Sequence, residues 1–436
     1  MFHRRHKTVY FVLEGLNALA ASIFFNYLFF YMRAHFGFGN KENLLLTTMH
    51  GLLYMTFAAF GGRVGQKRGY FFALRLGFGT MGLGLALGGL AVAGWGAASP
   101  RTLYGLIAAL ALWTFGMCFT WPALEAMTSE RETRSGLQQM IGVYNLVWAT
   151  AAALAYFGGG ALVTKLGWGA LFWLPFGIHV AQLVLLAWLG GKLHQEQAVP
   201  LPEPVLGDSE PAPVTHSPAE TSVFLRLAWL ANPLAYIAMN ALLPVIPQMA
   251  DHLGMSTMTA GFICSVWLFS RMVAFLGLWL WNGWHYRFGW LVTAYVSLIV
   301  SFALILLVPS VAAIVAGQVL FGLAVGLLYY SSLFYSMDLG DTKGEHGGLH
   351  EAAIGAGIFG GPAIGVAALQ LSPSHPQAGV WAVSAVLTVG LGVMVWIKAC
   401  SARNGAGIPE PRNDPSSPPD NHTPPGAAPP PGCACG

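Results

Sequence analysis

Long apolar runs, each close to the length of a membrane-spanning helix, divide the chain into two sets of six. A helix needs about 20 apolar residues to cross the hydrocarbon core of a bilayer. The first set is Val9–Tyr31, Leu44–Phe60, Tyr70–Ala93, Leu103–Leu124, Leu137–Val163 and Ala170–Leu189. The second set is Leu227–Ala250, Ala260–Trp281, Trp290–Val308, Val311–Leu333, Ala352–Leu371 and Val380–Ile397. This pattern predicts an all-α integral membrane protein with twelve transmembrane helices.

The composition supports lipid as the solvent for most of the chain. Of the 436 residues, 55% are hydrophobic and only 9% are charged, whereas soluble domains carry roughly 25% charged residues. The chain has no phosphate-binding G-x-x-x-x-G-K-[ST] segment, and no nucleophile–base pair or metal cluster is visible. We therefore expect no enzyme activity, no cofactor, no metal site and no nucleic-acid partner. The first apolar run is too long for a cleavable signal peptide.

Two polar stretches divide the chain into predicted units. Residues 192–222, rich in Pro, Glu and Ser, are expected to be a flexible cytoplasmic linker between an N-terminal half, 1–191, and a C-terminal half, 223–398. Residues 399–436 are Pro-rich and predict a disordered cytoplasmic tail, whose Cys433 and Cys435 leave metal binding or acylation open. Cys118 and Cys264 lie inside apolar runs and are expected to be packing thiols.

The distribution of Lys and Arg predicts the orientation of the helices. With the N-terminus in the cytoplasm, fifteen of the 21 Lys and Arg residues fall on the cytoplasmic side and four on the outside, while Arg75 and Arg271 lie within spans. Cytoplasmic loops carry the excess of positive charge. We therefore expect both termini in the cytoplasm, a location in the plasma (inner) membrane, and a monomer.

Two kinds of glycine-containing segment recur at corresponding places in the two sets. Residues 62–69 read G-R-V-G-Q-K-R-G after the second run, and residues 282–289 read N-G-W-H-Y-R-F-G after the eighth. Gly158-Gly159-Gly160 in the fifth run corresponds to a segment with Gly361, Pro362 and Gly365 in the eleventh. Glycine permits close helix approach and proline bends a helix. The correspondence indicates an internal repeat.

Together these features resemble the major facilitator superfamily, over about residues 8 to 398. The family's loop pattern is G-x-L-A-D-R-x-G-R-[KR], which Gly62, Val64, Lys67 and Gly69 match, while Gln66 replaces the acid. The resemblance implies two pseudo-symmetric six-helix halves that rock about a central site lined by helices 1, 4, 7 and 10. It also implies a gating role for the loop, although Gln66 cannot supply the family's negative charge. The candidate gating residues are Gly62, Arg63, Gln66, Lys67, Arg68, Gly69, Arg287 and Gly289.

Two charged residues inside apolar runs are the first candidates for transport chemistry. Glu14 in the first run is the only acid expected well inside a span, and a buried carboxyl group is costly unless it is protonated, paired or hydrated. It is a candidate proton carrier, or it reaches cytoplasmic water or holds a helix end. Arg271 in the eighth run cannot deprotonate. It is expected to pair with Glu14 or to hold an anionic group of a solute; the alternative is a bond to backbone carbonyls between helices, or a side chain that extends to the membrane surface.

Polar and aromatic residues on other helices complete the candidate site. Asn232, Tyr236 and Asn240 follow i, i+4, i+8 spacing and share one face of the seventh run, which its prolines are expected to bend or break. This face suits a polar solute or hydrogen bonds between helices. Asn17, Trp113 and Tyr330 are further candidate solute ligands, and aromatic lining suits many amphipathic solutes.

The loop at 337–351 packs charged residues and glycines closely together. Its acids favour a solvated gate loop with a helix start at 348–351, and a metal site there is the alternative.

The leading hypothesis is a secondary active, proton-coupled transporter of a small organic solute in the lipid bilayer. It would work by alternating access, with protons as the coupling ion. The alternative is a non-transporting membrane receptor or assembly factor built on the same fold.

Overall fold

The computed structural model describes residues 2–129, 134–197, 218–339 and 343–405, with the side chains of residues 7–128, 139–191, 219–336 and 350–401. The described part of the chain is helical and contains no strand. The helices of the N-terminal half are α1 Phe2–Phe36, α2 Asn40–Arg68, α3 Tyr70–Trp95, α4 Pro100–Ser129, α5 Arg134–Leu166 and α6 Ala170–Gln197. Those of the C-terminal half are α7 Pro218–Leu242, α8 Ile246–His252, α9 Thr257–Cys264, α10 Val266–Leu280, α11 Phe288–Leu307, α12 Val311–Leu339, α13 Lys343–Leu371 and α14 Ala378–Gly405.

Within the described ranges, 12 segments are long and apolar enough to cross a membrane, which confirms the predicted fold class. Helices α1 to α6 are the first six spans. The seventh span combines α7 and α8, the eighth combines α9 and α10, and α11 to α14 are the ninth to the twelfth. Most of the predicted linker and tail, with Cys433 and Cys435, lies outside the described residues. Residues 340–342 of the predicted gate loop lie outside them as well.

The seventh span is interrupted, as its prolines predicted. A 3-10 turn at Leu243–Val245 separates α7 from α8, with Pro244 inside the turn and Pro247 in the first turn of α8. Proline has no backbone N–H group and cannot continue the hydrogen-bond ladder of a helix. In contrast, α7 continues through Pro233 and α13 continues through Pro362.

The eighth span is interrupted at Ser265, which the sequence did not predict. The side chain of Gln318, on α12, reaches the break. Its Nε2 donates to the carbonyl of Ile263 at 3.0 Å, and its Oε1 accepts from the backbone N–H of Trp267 at 3.4 Å. Backbone groups freed inside a membrane need such partners, since no water is available there. The break is therefore stabilised by one amide side chain from a neighbouring helix, together with hydrogen bonds from the Ser265 N–H and hydroxyl groups to the carbonyls of Ile263 and Phe262.

The two halves meet mainly along two seams: α2 packs on α13, and α5 packs on α9 and α10, the two parts of the eighth span. Glycine makes both contacts possible. A Cβ atom on Gly51 would overlap the backbone of Phe359, and one on Gly355 would lie 2.6 Å from the Cα of Met55. On the second seam, a Cβ on Gly160 would lie 2.5 Å from the carbonyl oxygen of Thr257. Small residues let membrane helices approach closely where larger side chains would separate them.

One end of the helix bundle is also tied across the halves by polar contacts. We call it the tied end, and the end that holds residues 61–70 the basic end. At the tied end, Arg33 Nε lies 2.8 Å from Asp251 Oδ2 in an ion pair between α1 and α8. The backbone N–H of Asn40 donates to Gln248 Oε1 at 3.0 Å, and Lys41 Nζ donates to Gln370 Oε1.

Two predicted loops are helical. Residues 62–68 continue α2, so that of the predicted gating loop only Gly69, with φ +91°, lies between α2 and α3. In the second copy, Gly289 belongs to the first turn of α11, and residues 281–287 form the connection. Likewise residues 348–351 lie inside α13, which begins at Lys343, instead of at a helix start. The interpretation as loops was wrong because glycine and charge do not end a helix that packing and length sustain.

Candidate solute cavity

A cavity of about 200 Å³ lies between the two halves, and both contribute to its wall. On the N-terminal side it is lined by Ala18, Ala21, Ser22, Phe25, Asn26, His50, Tyr54, Trp113, Met117, Trp121, Trp148 and Ala152. On the C-terminal side it is lined by Tyr236, Met239, Asn240, Leu243, Trp267, Leu268, Arg271, Tyr329, Glu351, Ile354 and Ile358. A cavity shared by both halves is where alternating-access transporters bind their solutes.

Aromatic rings make up much of the wall. Trp113, Met117 and Trp121 follow helical spacing on α4, and all three face the cavity. The rings of Phe25 and Trp113 stack with an interplanar angle of 9° and a centroid distance of 6.1 Å. His50 lies against Phe25, and its Nδ1 is 2.8 Å from the Thr114 hydroxyl group. The N-terminal wall is therefore flat and largely apolar.

Arg271 is held in the opposite wall by three rings. Its guanidinium carbon lies 4.5 Å from the ring centroid of Trp148, 4.9 Å from that of Tyr329 and 5.3 Å from that of Phe275. The residue is 2% exposed, and its Nη1 contacts the sulfur of Met239 at 3.8 Å. Nε and Nη2 have no hydrogen-bond partner in the described part of the chain. A buried arginine stays charged. The Tyr236 hydroxyl group, which also lines the cavity, interacts with the guanidinium group, but Nε and Nη2 form no hydrogen bond of ordinary length in the described part of the chain, so both can bind an acceptor.

A carboxyl group also lies in the wall. Glu351, on α13, accepts a 2.5 Å hydrogen bond from the Tyr54 hydroxyl group, on α2. Two further carboxyl groups are buried nearby, Glu14 on α1 and Glu125 on α4, and the three interact electrostatically. Both oxygens of Glu14 and the Oε2 atom of Glu125 form no hydrogen bond of ordinary length with the described groups, and the Tyr144 hydroxyl group interacts with Glu14.

Glu14 was expected to be the only acid well inside a span, and the structure buries two further acids near the ends of their spans, Glu125 in Pro100–Thr128 and Glu351 in His350–Leu371. Helix α4 continues to Ser129 and so includes Glu125, while α13 begins eight residues before Glu351. Helical spacing carried the missing signal. Glu125 is four residues after Trp121, and Glu351 is three before Ile354, so each continues a face that lines the cavity.

The predicted solute ligands divide into two groups. Trp113, Tyr236, Asn240 and Arg271 line the cavity. Asn17 and Asn232 are buried but lie outside its wall, as does Glu14. Tyr330 lines a different cavity of about 350 Å³ beside Trp279, His285 and Phe334, towards the basic end. No ion pair between Glu14 and Arg271 occurs in the described structure, where both keep unpartnered polar atoms.

The helix-bending candidates on α13 have separate contacts. Gly361 packs against the backbone of Ile237 on α7, and Gly365 packs against the side chain of Leu44 on α2. Cys118 and Cys264 are buried free thiols, in agreement with packing roles. Among the described residues, no group of three His, Cys, Asp or Glu side chains is arranged to hold a metal ion.

Twelve spans in two halves around a shared, buried cavity are the architecture of a transmembrane transporter. The sequence matches the family model of the Major Facilitator Superfamily over residues 10–362, and the chain therefore belongs to this family.

Solved structures of transporters share this fold. The human organic anion transporter MFSD10 (TETRAN) has a TM-score of 0.62 and 13% identity, with 90% of this chain and 99% of that chain covered. A mutant of the nucleoside transporter NupG has a TM-score of 0.60 and 12% identity, with 91% of this chain and 99% of that chain covered. No curated protein sequence matches the chain. At these identities the two structures show the fold and do not assign a solute.

Proposed function

We propose that the protein is a proton-coupled secondary transporter that moves a small organic solute by alternating access and binds an anionic group of that solute at Arg271. The observation that carries this proposal is the pair of unpartnered N–H groups on a 2% exposed arginine in the wall of the central cavity. Leaving a buried charge unpaired costs several kcal/mol. An anionic solute offsets this cost while it is bound.

Alternating access requires contacts that break at one end of the molecule while others form at the opposite end. The ion pair and hydrogen bonds at the tied end join the halves there. These contacts are polar and partly exposed, so each contributes little and can be exchanged for water. We expect them to separate when the cavity opens towards that end, with α2–α13 and α5–α10 as the surfaces that move against each other.

Protons are the proposed coupling ion because three buried carboxyl groups lie at or beside the cavity. Glu14 is the carrier that the sequence indicated, and Glu351 is the carboxyl group in the wall itself. A proton on this cluster lowers the cost of burying the charge. Movement of one anion with one proton is electroneutral and draws on the pH gradient. The role of each carboxyl group is to be assigned by mutation.

The solute proposal is tested with purified protein in liposomes. A solute library is first screened by thermal stabilisation, and uptake of the best solute is then measured. Arg271→Gln is expected to reduce apparent affinity at least tenfold, because a neutral amide cannot form the charge-assisted hydrogen bonds of the guanidinium group. A tenfold loss corresponds to about 1.4 kcal/mol. Arg75→Gln is the matched control, since Arg75 is exposed on α3 outside the cavity. Unchanged affinity in Arg271→Gln would falsify the ligand role.

The coupling proposal has its own test. Uptake driven by a pH gradient is compared with exchange of labelled for unlabelled solute at equal pH. Glu14→Gln and Glu351→Gln are measured separately. Loss of gradient-driven uptake with retained exchange identifies the carboxyl group that carries the proton. If both variants and Glu125→Gln accumulate solute as the wild type does, protons are not the coupling ion.

The alternative of a non-transporting receptor or assembly factor rests on Gln66, which stands where the family carries an acid. The two functions differ in turnover. Binding that stabilises the protein with no flux in liposomes, under either a pH or a solute gradient, favours the receptor; flux favours the transporter.

A further inference from the structure

The central cavity combines one fixed positive charge with flat aromatic walls and unpartnered hydrogen-bond donors. On this basis we infer that its solute is a small aromatic monoanion, a planar ring that bears one carboxylate group. This inference rests on the proposed function, since it names the class of solute for the same cavity.

The charge of the solute follows from the charges of the wall. Arg271 is the only Lys or Arg among the described residues that line the cavity, and Glu351 contributes a carboxyl group to the same wall. A single negative group can lie against the arginine. A second one would have no cation in the described wall and would be repelled by Glu351 whenever that residue is charged. The wall therefore selects a monoanion against a dianion.

The anionic group is identified by the geometry of the guanidinium edge. Nε–H and one Nη–H of an arginine point in parallel and match the two oxygens of a carboxylate group in a bidentate pair. In Arg271 the two nitrogens without a partner are Nε and Nη2, the pair that forms this edge. The other nitrogen, Nη1, contacts Met239. The rings of Trp148 and Tyr329 lie 4.5 and 4.9 Å from the guanidinium carbon, while the edge formed by Nε and Nη2 has no hydrogen-bond partner in the described structure.

The body of the solute follows from the opposite wall. Phe25 and Trp113 present nearly parallel rings, and Trp121 extends this aromatic surface, while Trp267 adds a ring from the C-terminal side. Aromatic pairs gain about 0.5–1.5 kcal/mol beyond the burial of their area. The cavity of about 200 Å³ is below the roughly 300–1,000 Å³ typical of sites for drug-sized molecules. One ring with its carboxylate group suits this space better than a large fused system.

Two further donors favour acceptor atoms on the solute. The indole N–H groups of Trp113 and Trp267 are both buried, line the cavity from opposite halves, and have no partner in the described structure. A buried donor without an acceptor costs about 1–3 kcal/mol. Oxygen atoms on the solute would satisfy these donors and would touch both halves at once.

A five-compound panel tests the inference: benzoate, cyclohexanecarboxylate, acetate, phthalate and benzamide. These compounds vary the aromatic ring, the presence of any ring, the charge and the anionic group one at a time. Apparent affinity is measured by thermal stabilisation of the full chain and by competition for labelled benzoate in liposomes. We expect benzoate to bind at least tenfold more tightly than each of the other four, which corresponds to about 1.4 kcal/mol.

Two variants connect the result to the proposed wall. Arg271→Gln is expected to remove the preference for benzoate over benzamide. Trp113→Leu is expected to remove the preference for benzoate over cyclohexanecarboxylate, while Trp396→Leu, at an exposed tryptophan of α14, keeps it. Because each readout is a ratio of two affinities, a variant that merely folds less well does not imitate either result.

The outcomes separate this inference from the proposed function. Equal affinity for benzoate and cyclohexanecarboxylate, or tighter binding of phthalate or benzamide, overturns the solute class. Transport of a solute from another class, with none of the panel bound, also overturns it and leaves the transporter standing. Absence of flux for every solute in the library counts against the proposed function itself.

Discussion

The Tyr54 hydroxyl group donates a hydrogen bond of 2.5 Å to the Glu351 carboxyl group, and this bond joins α2 of the N-terminal half to α13 of the C-terminal half. Tyr54 is 1% exposed and Glu351 is 7% exposed. The same pair of helices is in backbone contact at Gly51 and Gly355. The bond therefore lies on a closely packed seam at the edge of the cavity, where the charge of Glu351 affects both solute binding and contact between the halves.

Removal of this hydrogen bond is expected to destabilise the protein in a pH-dependent way. Tyr54→Phe leaves the ring in place and takes away the only hydrogen-bond donor that the described structure gives to Glu351. A hydrogen bond to a charged group contributes about 1.5–3 kcal/mol, and one to a neutral group about 0.5–1.5 kcal/mol. The loss of thermal stability should therefore be larger at high pH, where the carboxyl group is charged, than at low pH.

Thermal unfolding of the purified protein over a range of pH checks this expectation. Tyr104→Phe is the control, because Tyr104 is 72% exposed on α4. If Tyr54→Phe and Tyr104→Phe lose the same stability at every pH, the bond does not carry the coupling between the carboxyl group and the seam.

The ion pair at the tied end is expected to bias the molecule only weakly. The side chains of Arg33 and Asp251 are 29% and 53% exposed. Ion pairs of this exposure contribute about 0.2–1 kcal/mol. Asp251→Asn should thus increase opening at that end by no more than about fivefold, and added salt should reduce the difference from the wild type.

The measurement uses a cysteine in place of Leu243, a residue in the cavity wall beside the break in the seventh span. The rate at which it reacts with a membrane-impermeant maleimide, applied from the tied end, reports opening. A salt-independent increase, or one far above fivefold, would show that more than a surface ion pair had been lost.

Three consecutive glycines on α5 give an internally matched test of helix packing. A Cβ atom at Gly158 meets nothing within 4 Å, whereas one at Gly160 lies 2.5 Å from the carbonyl oxygen of Thr257 on the opposite half. Alanine favours a helix by about 0.8–1 kcal/mol over glycine. Gly158→Ala is expected to keep or slightly raise stability. Gly160→Ala must push α5 away from α9 and should lower stability by about 1–3 kcal/mol.

Unfolding temperatures and transport rates of the two variants are compared side by side. Gly159→Ala is expected to behave like Gly160→Ala, because its added methyl group would overlap the ring of Tyr27. Tolerance of alanine at Gly160 equal to that at Gly158 would mean that the seam between α5 and α9 is looser than this packing indicates, and equal tolerance at Gly159 would mean the same for the contact between α5 and α1.

The sequence predicted the number and order of the spans because a membrane helix is recognised from a local apolar run. It also placed Tyr236 and Asn240 on one face of the seventh run, since helical spacing is local, and both residues line the cavity. The sequence could not predict the cluster of three aromatic rings around Arg271. Trp148, Tyr329 and Phe275 come from α5, α12 and α10, and only the packing of those helices brings their rings together. Likewise the hydrogen bond from Tyr54 to Glu351 depends on the packing of α13 against α2, which the sequence alone does not show.

Helix ends were the least predictable local feature. The basic segment 62–69 was expected to be a loop, yet α2 continues to Arg68. A membrane-spanning helix can continue past the hydrocarbon core into the headgroup region. The apolar run therefore gives only the minimum length of the helix. Glu125 and Glu351 were missed for this reason, since both lie just beyond the end of their apolar run.

Arg271 lies only six residues beyond Ser265, where the eighth span is interrupted. The side chain that stabilises this break is therefore expected to affect the position of the guanidinium group. Gln318 satisfies the carbonyl of Ile263 and the N–H of Trp267 on its two sides. Gln318→Met keeps a similar volume and leaves both backbone groups without this partner, at a cost of about 1–3 kcal/mol. We expect lower thermal stability together with weaker binding of anionic solutes, since α10 is then free to shift the guanidinium group. Thr388→Val, at an exposed threonine of α14, is the control for loss of a side-chain hydrogen bond. Reduced stability with unchanged solute affinity would show that the break does not determine the position of the Arg271 guanidinium group.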